Sequence, residues 1–355
     1  MSDKVLMKGN EAIAEAAIIA GCRHYYGYPI TPQNEISAYM SKRMPKVGGT
    51  FVQAESEVSA INMVYGTAAA GKRTMTSSSS PGIALKSEGL SYLAGCDLPA
   101  LIVNIQRGGP GLGGIQPSQA DYFMATKAGG HGDFRMIVLA PESVQEMVDL
   151  TYKGFDLADK YRITSMLLAD GALGQMMEPV TLKSYDKPLP EHTWALYGTD
   201  CKRPHNIVNS LYLQAEELEV LNFERYEKYA EVEKHEIMYD EYLLDDADIC
   251  IAAFGVAARI SRNAIDEARA KGIKVGLLRP ITLWPFPKEA FRKTAEKVNS
   301  FISVELSMGQ MIEDVELAIR CSRPVLLCRR AGGMMPTPED ILAKIEEAVQ
   351  LGGAK

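Results

Sequence analysis

Several things are missing from this sequence, and each absence removes a class of protein. No run of 18 apolar residues occurs, and mean hydropathy is −0.09, so no membrane span is expected. The N-terminal run Met1-Ser2-Asp3-Lys4-Val5-Leu6-Met7-Lys8-Gly9 has no apolar core before a small-residue cleavage site, so no secretory signal is expected. The six cysteines (Cys22, Cys96, Cys201, Cys250, Cys321 and Cys328) are widely spaced, with no Cys-x-x-Cys among them. That spacing excludes a disulfide framework and an iron–sulfur cluster held by this chain alone. Buried free thiols in a reducing cytoplasm are the expectation. The five histidines have no metal-ligand spacing such as His-Glu-x-x-His. Basic charge is also short: 38 Lys and Arg against 45 Asp and Glu leave a net −7, which argues against nucleic acid as the main partner.

What is present is an ordinary globular composition, 46% apolar and 23% charged over 355 residues, enough for about two domains. In the first 170 residues helical and strand patterns alternate. Helices are expected at Glu11–Ala20, Pro32–Ser41, Glu55–Ala70, Ile83–Leu93 and Glu142–Asp159. Strands are expected at Arg23–Tyr28, Arg73–Ser77, Ala100–Gln106, Arg135–Ala140 and Ile163–Ala169. Alternation of this kind means βαβ units and a parallel sheet. Near-continuous apolar strands such as Leu101-Ile102-Val103-Asn104-Ile105 indicate that both sheet faces are covered.

The rhythm breaks between about 180 and 245. Asn209–Leu244, rich in Glu, Lys, Leu and Tyr, reads as a long solvated helical connector. From Ala247 a second βα region follows, with Trp284-Pro285-Phe286-Pro287 as a rigid loop. The expected division is residues 1–190, a connector at 191–245, and a smaller α/β domain at 246–355.

Four constellations could carry chemistry. Tyr28-Pro29-Ile30-Thr31-Pro32 ends a strand, where α/β sheets bind ligands. The prolines aim the Thr31 hydroxyl, although Thr31 could equally be a helix N-cap with Pro32 at N1. Glu55-Ser56-Glu57 opens a helix. Glu57 shares an apolar face with Ile61, Val64 and Ala68, so it is the buried acid and Glu55 the solvated one. A buried carboxylate can exchange a proton or bond a ring nitrogen; alternatively both acids complement the helix N-terminus. Arg107 precedes Gly108-Gly109-Pro110-Gly111-Leu112-Gly113-Gly114. A guanidinium beside a backbone that approaches closely suits a carboxylate or phosphate, and a flexible surface loop is the alternative. Ser77-Ser78-Ser79-Ser80-Pro81-Gly82 could present hydroxyls and amides to an anion, or be a turn and cap.

In that order, together with Gln53-Ala54-Glu55-Ser56-Glu57, these motifs resemble the pyrimidine-binding domain of 2-oxoacid:ferredoxin oxidoreductases. The second region looks like the transketolase C-terminal type. The runs 53–65, 77–85 and 108–121 most resemble the branched-chain members acting on 2-oxoisovalerate (3-methyl-2-oxobutanoate). The resemblance implies an α/β fold, with a thiamine-diphosphate-binding-type parallel sheet domain and a smaller α/β domain. It implies that Glu57 bonds ring N1′ of the cofactor's aminopyrimidine, that Arg107 holds the oxoacid carboxylate, and that Thr31 contacts the substrate or the coenzyme A-derived reactant. Ser78 and Ser79 are implied as cofactor contacts. The family's Gly-Asp-Gly…Asn-Asn pattern has only Ala169-Asp170-Gly171 as its nearest match here. Magnesium and the diphosphate are therefore expected on a partner thiamine-diphosphate-binding subunit, with a gamma-type subunit and a ferredoxin-like iron–sulfur subunit completing the complex. The implied reaction is oxidative decarboxylation of a 2-oxoacid with coenzyme A, reducing ferredoxin. A 2-oxoglutarate enzyme is the nearest alternative, and a non-catalytic scaffold or regulatory subunit the second.

Overall fold

The structure is a computed structural model that describes residues 4–127 and 129–353, the side chains of 352 and 353 excepted; Met1-Ser2-Asp3 of the N-terminal run lie outside the described residues. The first region runs β1 (Val5–Lys8), α1 (Gly9–Ile19), β2 (His24–Gly27), α2 (Asn34–Arg43), β3 (Thr50–Gln53), α3 (Glu57–Ala69), β4 (Thr74–Ser78), α4 (Ser80–Gly95) and β5 (Ala100–Gln106). It continues through α5 (Tyr122–Thr126), β6 (Ile137–Leu139), α6 (Val144–Tyr161), β7 (Thr164–Asp170), α7 (Gly171–Gln175) and β8 (Met177–Val180). Then come α8 (Ala215–His235), β9 (Tyr239–Tyr242), β10 (Ile249–Ala252), α9 (Gly255–Ala270), β11 (Val275–Pro280), β12 (Thr282–Trp284) and α10 (Lys288–Ala295). The chain closes with β13 (Ser300–Glu305), α11 (Met311–Ala318), β14 (Val325–Arg329) and α12 (Pro338–Gly353).

The larger sheet has the order β12-β6-β7-β5-β4-β2-β3. It is parallel except for β12, which runs antiparallel to β6. β4, β5 and β7 are buried along their whole length, as sheet cores covered on both faces must be. The chain winds outward in opposite senses from the β2–β4 pair, so the crevice for ligands lies at the carboxyl ends of these central strands. All four motifs stand there, after β2, β3, β4 and β5.

The second sheet has the order β14-β13-β10-β11-β9, parallel but for the edge strand β9. β1 and β8 pair antiparallel as a separate ribbon.

Several expectations are corrected here. The 209–244 connector is helical only over α8, and its end is strand β9, whose Tyr-Asp-Glu-Tyr alternates half-buried and exposed positions. The Trp284 loop begins as β12 and returns to the larger sheet. Thr31 is not an N-cap: α2 starts at Asn34, after Gln33. Of the six cysteines, which are all free, four are buried, but Cys201 and Cys321 are exposed in polar turns.

The two larger sheets are fastened by buried polar groups. Arg279 of β11, 2% exposed, donates both terminal nitrogens to Glu146 of α6 at 2.8 Å each. Glu146 also caps its own helix, accepting from the Glu142 amide, while Ser143 accepts from the Glu146 amide. Gln119 clamps the other side, exchanging bonds with Leu306 backbone and donating to Phe254 O at 2.8 Å. Fully buried Glu305, ending β13, accepts from the amides of Gln310, Met311 and Ile312 at the start of α11. That bond set fixes the 306–310 turn, which faces the motifs.

Candidate functional site

Glu57 is the first residue of α3, held there by Ser56, whose hydroxyl accepts from the Ser59 amide at 3.2 Å. Its side chain turns inward and is 7% exposed, whereas Glu55 is exposed. The carboxylate lies against α4. A Cβ built on Gly82 would stand 2.8 Å from Glu57 Oε1 and 2.1 Å from Ser78 Oγ. Only a residue without a side chain leaves this space to the carboxylate.

The four serines after β4 divide by function. Ser77 is locked into the sheet, sharing a 2.7 Å bond with Tyr25 and donating to Gln33 Oε1 at 2.5 Å. Ser80 accepts from the Arg107 amide at 3.0 Å and donates to Asp121 at 2.6 Å. Ser78 and Ser79 between them are fully buried, and their hydroxyls have no partner among the described residues. Ser79 occupies the N-cap position of α4 but makes no side-chain cap bond. Buried hydroxyls are rarely left unpaired without a reason, so Ser78 and Ser79 are the candidate ligand contacts of this segment.

Arg107 follows β5 and is 7% exposed. Its Nη1 donates to Thr31 O and its Nη2 to Leu112 O, each at 2.9 Å; its Nε is buried without a partner. The glycine-rich loop is therefore anchored, not free. Gly114 N donates to Gly108 O, and Gly113, at φ +61°, would drive a Cβ to 1.8 Å from Gly108 O. Thr31 is half-buried, and its Oγ1 accepts from Asn34 at 3.2 Å. Arg107 and Thr31 are thus brought together across the crevice.

A cleft of about 370 Å³ opens between these loops and the second region. Its polar side includes Ser80, Arg107 and Asp121, with Ser307 and Gln310 facing them from the second region, and burial raises the Asp121 carboxyl against hydrogen bonds from Ser80 and Asn104. Its apolar side includes Pro81, Met124, Leu306 and Met308. Sequence reasoning did not single out Asp121, or Lys86 of α4, which is fully buried near Glu57. The available signal for Lys86 was its position one turn after Gly82 and three residues before Gly89, on the face of small residues.

Asp170 is spent structurally. Fully buried, it accepts from Ala172 and Leu173 amides as the cap of α7, and burial pushes it up to about 6 despite those bonds. Among the described residues no group of three or more His, Cys, Asp or Glu side chains could hold a metal, and no helix is long and apolar enough to cross a membrane. For the pyrimidine end of thiamine diphosphate the residues present do fit: an inward carboxylate, a glycine that clears it, and unpaired buried hydroxyls.

The chain is similar to known proteins over nearly its whole length. Residues 15–240 match the family described as pyruvate flavodoxin/ferredoxin oxidoreductase, thiamine diphosphate-binding, and residues 247–341 match pyruvate:ferredoxin oxidoreductase core domain II. The chain is 54% identical to the ketoisovalerate oxidoreductase subunit VorB of Methanothermobacter marburgensis, over 96% of this chain and 97% of that one. It is 33% identical to the 2-oxoglutarate synthase subunit KorA of the same organism, over 97% and 99%. Among solved structures, the 2-oxoglutarate:ferredoxin oxidoreductase of Magnetococcus marinus, with 2-oxoglutarate, coenzyme A and succinyl-CoA bound, superposes with a TM-score of 0.85 at 29% identity, covering 98% of this chain and 66% of that one. A split-gene transketolase shares the fold at a TM-score of 0.61 and 14% identity, over 98% and 99%. The chain belongs to the pyruvate flavodoxin/ferredoxin oxidoreductase family, the thiamine diphosphate-binding oxidoreductases of 2-oxoacids.

Proposed function

We propose that this chain is the pyrimidine-binding, alpha-type subunit of a branched-chain 2-oxoacid:ferredoxin oxidoreductase, which oxidatively decarboxylates 2-oxoisovalerate with coenzyme A to acyl-CoA, carbon dioxide and reduced ferredoxin. The observation that carries the substrate choice is near-full-length similarity to VorB at 54%, against 33% to the 2-oxoglutarate subunit KorA. That contrast also sets the 2-oxoglutarate alternative second. The reading as a scaffold or regulatory subunit is weakened by the unpaired polar groups left around Glu57, which a non-catalytic relic has no need to keep.

Bound thiamine diphosphate supplies the electron sink for decarboxylation. The chain's own residues bind and orient. Glu57 holds a hydrogen bond at the ring nitrogen N1′ and exchanges its proton there, and its burial makes that bond strong by excluding water. Ser78 and Ser79 face the cofactor with their free hydroxyls. Arg107 turns its unshared N–H groups to the oxoacid carboxylate, with Thr31 beside it. The branched side chain then packs along Met124 and Met308, across the cleft from Asp121.

Magnesium and the diphosphate fall to a partner subunit in this reading, since Asp170 is engaged as a cap. A gamma-type subunit, a ferredoxin-like iron–sulfur subunit, ferredoxin and coenzyme A complete the set, in the cytoplasm. The working units are residues 1–190, 191–245 and 246–355, supported by two larger sheets whose strands come chiefly from either side of α8.

The test is anaerobic purification of the tagged complex and coenzyme A-dependent viologen reduction with 2-oxoisovalerate, 2-oxoglutarate and pyruvate. Fastest turnover is expected on 2-oxoisovalerate, and abolished turnover in an assembled Glu57→Gln complex. Faster reaction with 2-oxoglutarate would move the substrate; near-normal turnover of Glu57→Gln would remove the catalytic assignment.

A further inference from the structure

Lys86 is the only charged residue of α4 turned into the interior; the helix's other charged residue, Glu88, is exposed. Lys86 is 0% exposed, and its Nζ has no hydrogen-bond partner among the described residues. Its place follows from the packing of α4 on α3. A Cβ on Gly82 would meet Glu57 Oε1 at 2.8 Å, and a Cβ on Gly89 would meet Ile61 Cγ2 at 2.5 Å. Glu57 and Ile61 stand one turn apart on α3, and Gly82, Lys86 and Gly89 share one face of α4. The lysine stem therefore enters the same closed layer as the Glu57 carboxylate.

Few other charges reach that layer. Of the elements packed on α4, α3 carries Glu57 as its one charged residue and β5 carries none. β7 carries only Asp170, whose oxygen caps α7. Burial pushes the Lys86 ammonium down to about 8, and the Glu57 charge opposes that push. Two opposite charges share a water-poor space without a direct hydrogen bond; Asp121 and Arg107 bond Ser80 at the start of α4, and neither Lys86 nor Glu57 makes an ion pair among the described residues.

We propose that Lys86 is a positioning residue that keeps Glu57 ionised and turned toward the cofactor's pyrimidine ring, by supplying the balancing charge inside the α3–α4 layer. This rests on the assignment of Glu57 made above. The ammonium lets the carboxylate stay charged while buried, ready to accept a proton from, or share one with, the ring nitrogen. Without it Glu57 becomes a lone buried acid, which takes up a proton and loses that readiness. The amine reaches Glu57 by its field and not by a bond, so the carboxylate oxygens remain open to the ring.

The experiment uses the cofactor-free assembled complex with wild-type chain, Lys86→Met, and Lys86→Met/Glu57→Gln. Infrared difference spectra between acidic and neutral buffer are expected to show a protonated carboxyl band that persists to neutral pH in Lys86→Met. The band is expected to be absent from the wild type and from the double variant. In the cofactor-loaded complex, Lys86→Met is expected to lose about tenfold or more in kcat, with KM for the 2-oxoacid within about twofold and the acid limb of the pH–rate profile moved upward by about one unit. A lysine needed only for packing changes thermal stability but moves neither the band nor the acid limb, and that result overturns the proposal.

Should Lys86→Met fail to assemble, Glu57→Gln with lysine labelled at Cε with carbon-13 gives the reciprocal reading. Lys86 is then expected to titrate at lower pH than in the wild type, and an unchanged titration overturns the coupling. A coupled pair together with normal turnover of Glu57→Gln would keep the charge pairing and remove the catalytic role of Glu57.

Discussion

Replacing Gly82 by alanine isolates the geometry of the site from its chemistry. The substitution removes no functional group and sits in a helix, where alanine is favoured over glycine by about 1 kcal/mol. Its methyl group would stand 2.1 Å from Ser78 Oγ, 2.8 Å from Glu57 Oε1 and 3.0 Å from Glu57 Cγ. Ordinary contact begins near 3.4 Å, so the carboxylate oxygen must retreat by about 0.6 Å (3.4 − 2.8) and the serine hydroxyl by about 1.3 Å (3.4 − 2.1). The serine can respond by rotating and the carboxylate by turning about its side-chain torsions, and either response takes the carboxylate out of its place against α4. Crowding of this size costs about 1–3 kcal/mol in a packed interior. Set against the helix gain, the thermal midpoint of the complex changes little. Catalysis is far less tolerant, since misplacing a reacting group by about 1 Å costs on the order of a hundredfold. The expected result in the viologen assay is a kcat lowered by about 10- to 100-fold, with KM for the 2-oxoacid unchanged and assembly intact. A kcat within twofold of wild type, at an unchanged thermal midpoint, would refute the placement of Glu57 at the reacting end of the site.

Three further outcomes follow from the polar framework. Arg107→Ala is expected to raise KM for 2-oxoisovalerate by about 10- to 100-fold, the loss of one charge-assisted pair, and KM for coenzyme A far less; equal effects in steady-state kinetics would separate Arg107 from the carboxylate. Arg279→Met removes the bidentate partner of half-buried Glu146 and the guanidinium that stands 3.6 and 3.8 Å from Glu142 and Asp240, and is expected to destabilise the chain by about 1–3 kcal/mol in urea melts. Asp170 carries a carboxyl raised by burial to about 6, so the folded state holds its proton more tightly than the unfolded chain, and that stabilisation is lost as pH rises from about 4 through 6. Asp170→Asn keeps an acceptor for the α7 amides and removes the burial cost of the charge. It is expected to gain up to about 3 kcal/mol at pH 7, about two pK units, and little at pH 4; a pH-independent change in chemical denaturation would show that the charge is not the cause.

Much of this molecule could be read from residue order. The buried strands β5 and β7 were legible because both their faces are covered, which gives them apolar centres, Leu101-Ile102-Val103 and Met166-Leu167-Leu168-Ala169; β4 is equally buried but built mostly of hydroxyl residues, and it was legible only from the βα rhythm around it. Glu57 was legible because its helical face is otherwise apolar, and Glu55, one residue pair earlier, falls on the solvated side. The elements that escaped are short and at edges. β3 and β1 are four residues each with mostly exposed or half-exposed positions, so no burial period marks them. β9 hid inside an acidic run whose composition pointed to a helix: its exposed and half-buried positions alternate over only four residues, and Tyr-Asp-Glu-Tyr carries no matching alternation of apolar and polar types. Lys86 escaped for a different reason: a lysine in a helix is normally read as surface, and only the glycines at 82 and 89 hint that its face is packed. Arg107 was placed correctly at the end of β5, but its bonds to Thr31 and Leu112 depend on two loops meeting across the crevice, a relation that no local pattern encodes.

The return of β12 to the larger sheet also bears on how the chain is made. Strand β6, buried and central in its own segment, has one edge that stays unpaired until residues 282–284 arrive. During synthesis on the ribosome, the first six parallel strands can therefore assemble while an open edge waits through the whole of α8, β10 and α9. Such an edge is a template for pairing with another nascent chain. Fragments ending before Thr282 should aggregate, and expression of the N-terminal part alone should need a chaperone or a fused substitute strand, whereas the full chain covers β6 with its own three-residue antiparallel strand, the last to join the larger sheet.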